Sequence, residues 1–348
     1  MAKNIARWRG FIAFNLVGVI LLLVGCAKPQ SAALTRYSEK KGLMGTIVQV
    51  DVCLNDEASS RVDAAYAEVW QRMSDISWRM NVYDPNSDVT KVNEVYPEAV
   101  TIGADTHAML RRSVEYARQT RGAFLISVWP LIKLWRASQE SQQPPAEEVL
   151  RETLRQINLN QLSLQADNKV ARLNRTISVD LGGIAKGYAV DEAARILRQH
   201  GFRQFYIDAG GDIYVGGLNC RSEKWRIGIK DPRDRERIIE TVAVSDQAVT
   251  TSGNYEQFLV IKGERYSHII DPSTGYPQRE VVSATVIAPT AEAADVFSTA
   301  MTVLGRERGT ELIDQEQPEM ASLIYARQPD GLVVRKASRR FESYQLNR

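Results

Sequence analysis

The segment ISVDLGGIAKGY, residues 177–188, places a glycine turn between two predicted elements. Residues 177–180 predict a strand, and apolar residues at helical spacing after the turn predict a helix. Glycines allow a backbone to approach a ligand closely, and free N–H groups at the start of a helix attract phosphate. The segment is not a Walker A loop, because Lys186 is followed by Gly187 rather than by Ser or Thr. A tight turn that needs glycine only for its geometry is the alternative interpretation.

Before this turn, helical patterns dominate the chain. Residues 44–52 predict an opening strand, and apolar residues at helical spacing predict a helix over 58–79. Asp105 is the candidate N-cap of a second helix that stops near Gly122. A mobile surface loop is predicted over residues 139–148, and a third helix is predicted to begin within it at Pro144-Pro145.

After the turn, short β segments alternate with turn signals. The predicted strands are 205–208, 213–215, 225–229, 266–270 and 281–288. A helix is predicted from about residue 290 to 304, with Gly305 ending it. This mixed order favours an α+β fold with an antiparallel sheet over a doubly wound fold. Since no linker divides the chain, we expect residues 42–348 to form one domain.

The composition is that of an ordinary globular protein. The 348 residues are 44% apolar and 25% charged, with a formal net charge of +2. These values argue against a disordered, collagen-like or polytopic membrane protein. Because the weak positive charge forms no dense Lys/Arg block, the sequence gives no reason to expect nucleic-acid binding.

The N-terminus has the pattern of a bacterial lipoprotein signal. Basic residues precede an apolar run over residues 11–24, which is shorter than the ~20 residues that span a bilayer comfortably. The run ends in Leu23-Val24-Gly25-Cys26, which resembles a lipobox. We therefore expect residues 1–25 to be a signal peptide, Cys26 to be acylated and residues 26–41 to be a tether. A short uncleaved anchor is the alternative. In either case we expect the body to face the periplasm or the outside of a bacterial membrane, with the inner membrane favoured.

Two cysteines, Cys53 and Cys220, belong to the body of the protein. An oxidising compartment permits them to pair, but their separation in sequence does not show that they meet. We expect isolated buried thiols.

Asp295 and Thr299 form a candidate metal-binding pair. Their four-residue spacing places both on one face of the predicted helix. A carboxylate and a hydroxyl are hard oxygen ligands that suit Mg²⁺ supported by substrate phosphates. A solvated helix face is the alternative. Zinc is not expected, because the chain has only three histidines and no paired Cys/His spacing.

His268 lies at the end of a predicted strand, before a turn over residues 271–277. A histidine in this position suits a proton shuttle or a donor to phosphate, and a purely structural role is the alternative. A serine hydrolase is a poor fit, since the chain has no Gly-x-Ser-x-Gly elbow.

Short motifs follow one another along the chain in a definite order. They are Met44-Gly45-Thr46, Tyr83 to Ser87, Gly122-Ala123-Phe124, Asp180 to Gly187, Gly210-Gly211-Asp212, Thr251 to Tyr255, His268 to Gly275 and Asp295 to Thr299. Their order resembles the ApbE family of FAD:protein FMN transferases. The resemblance covers residues 42–310, and the lipobox agrees with it.

The resemblance implies both a fold and a reaction. The fold would be a duplicated T-fold-like α+β arrangement with FAD in a cleft between its antiparallel sheets and helices. The reaction would be Mg²⁺-dependent transfer of FMN from FAD to a threonine of a partner protein through a phosphoester bond, with release of AMP. The acceptors would be subunits of membrane redox complexes, such as the Na⁺-pumping NADH:quinone reductase and Rnf-type complexes.

The resemblance also implies roles for individual residues. The FAD cleft would be lined by Met44, Tyr83, Ala123, Phe124, Leu125, Asp180, Lys186 and Ile270. The metal would be held by the backbone carbonyl of Gly183 and by the side chains of Asp295 and Thr299. His268 would lie near the diphosphate, and it or a carboxylate would accept the proton of the attacking hydroxyl.

The sequence departs from the family pattern at the flavin cleft. Leu125 stands where the family usually has Asp, Ser127 where it has Thr, and Trp129 where a glycine is common. The missing carboxylate leaves two other activities open. One is an FAD pyrophosphatase that gives FMN and AMP, and the other is a non-catalytic flavin-binding lipoprotein.

Overall fold

An eight-stranded antiparallel sheet forms the centre of the computed structural model, which describes residues 34–55, 61–253 and 258–346. The strands are β1 (Thr35–Leu43), β2 (Thr46–Leu54), β3 (Val100–Thr101), β4 (Leu162–Leu164), β5 (Lys169–Arg172), β6 (Phe205–Ala209), β7 (Asp212–Gly216), β8 (Trp225–Asp231), β9 (Asp234–Val244), β10 (Gln247–Gly253), β11 (Phe258–Ile261), β12 (Glu264–Ser267), β13 (Val281–Ala288), β14 (Ala321–Arg327) and β15 (Val333–Ala337). The helices are α1 (Val62–Arg79), α2 (Asp88–Glu94), α3 (Ala104–Gln119), α4 (Trp129–Ser141), α5 (Glu147–Leu154), α6 (Ala185–Gln199) and α7 (Ala291–Glu316), with 3₁₀ turns at Ile126–Val128, Leu159–Gln161 and Phe341–Tyr344.

The large sheet has the order β1-β2-β6-β7-β10-β13-β14-β15, and each of its neighbouring pairs is antiparallel. Three smaller sheets accompany it, with the orders β3-β5-β4, β8-β9 and β11-β12. The predicted α+β class with antiparallel sheet is therefore confirmed. Within the described residues, no helix is long and apolar enough to span a bilayer.

Both faces of the central sheet are buried. In β10 and β13, Ala248 and Ala284 belong to the core that packs under α1, α6 and α7. Val249 and Ile287, which point the opposite way, belong to a second core shared with β8 and β9. This two-sided burial explains why β13 is buried along its whole length.

A third core attaches the hairpin β11–β12 to helices α4 and α5. Its largest buried residues include Leu131, Trp135 and Tyr266. The Trp135 indole N–H donates to the backbone oxygen of Gly275 at 2.8 Å, which fixes the turn after β12 against α4. The hairpin therefore forms one wall of the cleft described below.

The predicted tether is wrong from residue 35 onward. The whole of β1 pairs with β2, from Thr35 opposite Leu54 to Leu43 opposite Thr46. Its residues are mostly polar and exposed because β1 is an edge strand, so the composition resembles that of a linker. The predictions for residues 1–33, including the signal peptide and acylation of Cys26, fall outside the described residues.

Several predicted element boundaries also need correction. Residues 177–180 are extended but belong to no strand, and the Asp180 N–H donates to the Ile126 oxygen. Helix α4 covers the first part of the predicted loop at 139–148. Helix α3 begins after Gly103, so Asp105 lies in its first turn and is not its N-cap. The predicted strand over 266–270 ends at Ser267.

Gly305 does not end the last helix. It adopts φ +80° and kinks α7, which continues to Glu316. A Cβ on Gly305 would lie 2.9 Å from a carboxylate oxygen of Glu280, so the close approach as well as the backbone angle requires glycine here.

The prediction of isolated thiols is wrong, because Cys53 and Cys220 form a disulfide. Cys53 lies on β2, and Cys220 lies in the loop after β7. Both strands flank β6 in the sheet, which brings the two cysteines to a Cα–Cα distance of 5.1 Å although 167 residues separate them. Only the strand order reveals this proximity.

Candidate active site

A cleft of about 990 Å³ brings together the residues that the sequence predicted as a site. Its walls come from the glycine turn before α6, the N-terminal half of α7, the end of β10, the hairpin β11–β12 and the loop after α1. The predicted residues that line it are Met44, Tyr83, Ala123, Phe124, Leu125, Asp180, Gly183, Lys186, His268, Ile270, Asp295 and Thr299. The placement supports a shared site, while the role of each residue stays a prediction.

One end of the cleft carries hydroxyl and carboxylate oxygens from α7 and β10. Asp295 is 4% exposed, and one of its oxygens accepts a hydrogen bond from the Gly187 N–H at 3.2 Å. The Thr299 hydroxyl lies 3.5 Å from the Ser252 hydroxyl, which also lies 2.7 Å from that of Ser298. The four-residue spacing thus places Asp295 and Thr299 on the helix face toward the cleft, as predicted.

The Asp295 carboxyl lies in an environment that disfavours its charge. Burial first, and then the negative charge of Asp212, raise the pKa of Asp295 to about 7, although Lys186 and the Gly187 N–H oppose the shift. The Lys186 ammonium forms an ion pair with the buried Asp212 carboxylate. Two carboxylates, Asp212 and Asp295, therefore lie near one lysine at this end of the cleft. A bound cation would neutralise the excess negative charge.

The glycine turn brings its backbone close to α7. A Cβ on Gly183 would lie 4.0 Å from the Thr299 hydroxyl and 3.2 Å from the Phe124 ring. Gly187, one turn into α6, packs against the start of α7, where a Cβ would lie 2.4 Å from the Ala291 oxygen. Gly187 requires glycine for this close approach, because the atoms nearest to its Cβ position are backbone atoms of α7. At Gly183 the Phe124 ring would have to move by only a few tenths of an ångström, so a ligand-binding role for the turn stays a prediction.

The donor set fits a magnesium ion. Asp295, Thr299 and a carbonyl of the neighbouring glycine turn are hard oxygen ligands, and Mg²⁺ commonly adds waters and phosphate oxygens to such a partial set. Within residues 34–55, 61–253 and 258–346, no group of three or more His, Cys, Asp or Glu side chains capable of holding a metal is found.

The other end of the cleft is lined by rings and apolar side chains. Tyr83 lies in the loop after α1 and is 58% exposed, and its ring meets the Trp129 ring edge-on with centroids 5.4 Å apart. Met44 stands at the tip of the β1–β2 hairpin with φ +54°. Asp180 lies at the glycine turn, where its carboxylate accepts a hydrogen bond from the Gly182 N–H at 2.9 Å. Burial raises the pKa of Asp180 against the effects of that hydrogen bond and of the Arg136 charge.

His268 and Ile270 enter the cleft directly after β12. Ile270 is buried and forms an isolated bridge with Pro277, which closes the turn between them. The Ile269 N–H donates to the Ser267 hydroxyl at 3.1 Å. This compact turn carries the imidazole to the cleft wall, as the strand-then-turn pattern predicted.

Three residues that line the cleft, Asp212, Ser252 and Arg136, were not predicted individually as site residues. Asp212 and Ser252 belong to motifs already quoted, so the signal for them was present in the Gly-Gly-Asp and Thr-Ser-Gly patterns. Arg136 lines the ring end of the cleft, and its only sequence signal is that it stands seven residues after Trp129 on α4.

Comparisons with known proteins identify the family of the chain and the solved structures that it resembles. The model of the ApbE family matches residues 44–324. The FAD:protein FMN transferase of Escherichia coli K12 is 30% identical over 321 residues, covering 88% of this chain and 90% of its own. The crystal structure of an ApbE protein from Thermotoga maritima matches with a TM-score of 0.80 and 31% identity, over 90% of this chain and all of that one. A flavin transferase ApbE from Vibrio cholerae matches with a TM-score of 0.78 and 28% identity, over 89% of this chain and 99% of that one.

Proposed function

The chain belongs to the ApbE family, and on that premise we propose that it is an FAD:protein FMN transferase that moves FMN from FAD to a threonine hydroxyl of a partner protein. The observation that carries the proposal is the meeting of Asp295, Thr299, Gly183 and Lys186 at one end of a cleft whose other end is lined by aromatic rings. A dinucleotide with a central diphosphate and a ring at each end needs both kinds of surface.

The polar end is suited to hold the diphosphate. Lys186 supplies a positive charge at this end of the cleft. Asp295, Thr299 and the Gly183 carbonyl would hold Mg²⁺, which would neutralise charge that develops on the phosphates. Phosphoryl transfer depends more on such positioning and charge neutralisation than on covalent chemistry.

The transfer balances as a displacement at phosphorus. The threonine hydroxyl oxygen attacks the phosphorus on the FMN side of the diphosphate, and the bond from that phosphorus to the bridging oxygen breaks. AMP leaves with the bridging oxygen, and FMN becomes a phosphodiester of the threonine. The hydroxyl proton passes to His268 or to a carboxylate of the cleft.

We further propose that the protein acts at a membrane surface on a subunit of a redox complex of the Na⁺-pumping NADH:quinone reductase or Rnf type. Support for this part comes from the sequence alone, in the lipobox that ends at Cys26 and in the family resemblance. A lipid anchor would keep the enzyme at the surface where such acceptors reside.

One incubation tests the proposed reaction. The full chain is mixed with FAD, Mg²⁺ and a candidate acceptor domain, and both nucleotides and proteins are measured by mass spectrometry. Covalent FMN on an acceptor threonine together with free AMP is the expected result. Free FMN with AMP would instead establish a pyrophosphatase, and unchanged FAD would establish a binding protein. An acceptor with its threonine changed to valine is the matched control.

A further inference from the structure

An arginine stands at the ring-lined end of the cleft without a carboxylate partner among the described residues. Arg136 lies on the exposed side of α4 and lines the cleft. Its guanidinium carbon is 4.8 Å from the centroid of the Tyr83 ring and 5.7 Å from that of Trp129. Two aromatic rings therefore contact this cation through cation–π interactions. Within residues 34–55, 61–253 and 258–346, Arg136 forms no ion pair with a carboxylate.

The supporting rings are fixed by separate elements of the fold. Trp129 opens α4 and is 9% exposed, and it lies two helical turns before Arg136 on the same helix face. Tyr83 comes from the loop after α1 and meets Trp129 edge-on. The guanidinium is thus positioned from two sides, so less side-chain freedom would be lost when it binds a ligand.

The charge of Arg136 reaches into the cleft. Arg136, Tyr83 and Asp180 line the same cleft, and the guanidinium lies beside the Tyr83 ring. Its charge opposes the upward pKa shift that burial causes in both Tyr83 and Asp180. A guanidinium has only N–H donors, set in a planar fork, and these match carbonyl or phosphate oxygens. Because Lys186 already supplies a positive charge at the polar end, a carbonyl-bearing ring is the better match for Arg136.

We propose that Arg136 is a specificity-determining residue for the donor nucleotide, whose guanidinium donates hydrogen bonds to the carbonyl oxygens of the isoalloxazine ring. The inference rests on the proposed function, since it assumes that FAD is the donor. The isoalloxazine ring carries carbonyl oxygens on its pyrimidine edge, whereas adenine carries none. Arg136 would therefore select the flavin half of the dinucleotide for the ring-lined end of the cleft.

The test measures binding of separate parts of the donor. Dissociation constants for FAD, FMN, riboflavin and ADP are measured on the full chain and on Arg136→Met, which keeps a long apolar stem but removes the charge. We expect FAD, FMN and riboflavin to bind about tenfold more weakly to the variant, with ADP unchanged, since one charge-assisted hydrogen-bonded contact is lost. Arg136→Lys should restore only part of the affinity, and the visible absorption band of bound riboflavin should shift in Arg136→Met.

Arg118→Met is the matched control, because Arg118 is an exposed arginine on α3 paired with Glu115 and does not line the cleft. Equal weakening of ADP and FAD in Arg136→Met would overturn the inference by assigning the charge to the diphosphate. Unchanged riboflavin and FMN affinity would overturn it as well. If the wild-type chain binds flavins but transfers no FMN, the proposed function fails while the inference stands. If it binds no flavin, both fail.

Discussion

The backbone N–H of Gly187 donates a hydrogen bond of 3.2 Å to the carboxylate of Asp295, which joins the first turn of α6 to the first turns of α7. The two helices carry the lysine and the carboxylate–hydroxyl pair of the cleft. Their close contact therefore sets the distance between the lysine that would meet the phosphates and the groups that would hold the metal.

A substitution at Gly187 should separate these helices. In Gly187→Ala the new Cβ would lie 2.4 Å from the Ala291 oxygen. The three nearest atoms all belong to the backbone of Ala291 and Glu292, so no side-chain movement can relieve the clash. We expect the free energy of unfolding in urea to fall by about 1–3 kcal/mol, as for other overpacked sites. Gly42→Ala is the control, since among the described residues no atom beyond its two chain neighbours lies within 4 Å of its Cβ position. Equal stability of the two variants would contradict the predicted contact.

The Asp295 carboxylate should lower the stability of the metal-free protein and be necessary for the release of AMP from FAD. In Asp295→Asn the buried carboxyl that faces Asp212 becomes neutral, so we expect the metal-free protein to be as stable as wild type or more stable. The rate of AMP release at limiting Mg²⁺ should fall at least about 100-fold, because the charged side chain that would bind the metal is lost. Thr310→Ala, on the same helix but outside the cleft, should leave the rate unchanged. A normal rate in Asp295→Asn would rule out its role as a ligand.

The place of the predicted residues in one cleft followed partly from local patterns and partly from the family resemblance, which alone implied Met44, Tyr83 and Ile270. Helical spacing alone puts Asp295 and Thr299 on one face, and a glycine turn followed by a helix places Gly183 and Lys186 together. Arg136 could not be assigned in this way, since its position at the cleft depends on how α4 packs against the hairpin β11–β12 and the loop after α1.

The fold differs from the prediction at two features that depend on long-range pairing and at one helix that has a local start signal. Strand β1 is an exposed edge whose polar residues resemble a tether, and only its partner β2 defines it. The disulfide depends on the order of β2, β6 and β7. Helix α4 is different, because Pro130 in its first turn is a local signal for the start of a helix.

The disulfide should stabilise the sheet and leave the cleft intact. Replacing both cysteines in Cys53→Ala/Cys220→Ala is expected to lower the free energy of unfolding by about 2–4 kcal/mol, since the cross-link closes a long loop in the unfolded chain. Dithiothreitol should lower the melting temperature of wild type and have no effect on the double variant. FAD affinity should be the same in both proteins, because neither cysteine lines the cleft. Equal melting temperatures without reductant would contradict the prediction.

Acid should weaken the contact between β9 and β15 through Glu240. This carboxylate is 11% exposed and accepts hydrogen bonds from Arg335 at 2.6 and 3.1 Å and from the hydroxyl of Tyr325. Burial raises the pKa of Glu240, but these hydrogen bonds, together with that from Gln345, outweigh burial and hold the pKa below its usual value of 4.5.

A lowered pKa in the folded state means that Glu240 stabilises the protein fully above pH 4.5 and loses that effect as the pH falls through the folded-state value. Glu240→Gln should therefore be less stable than wild type by about 1 kcal/mol at pH 7, and the difference should shrink below pH 4. Urea unfolding measured from pH 3 to pH 8 tests this, with the exposed Glu236→Gln on the same strand as the control. A difference between Glu240→Gln and wild type that stays constant across this range would show that the lost contact is not the ionised carboxylate.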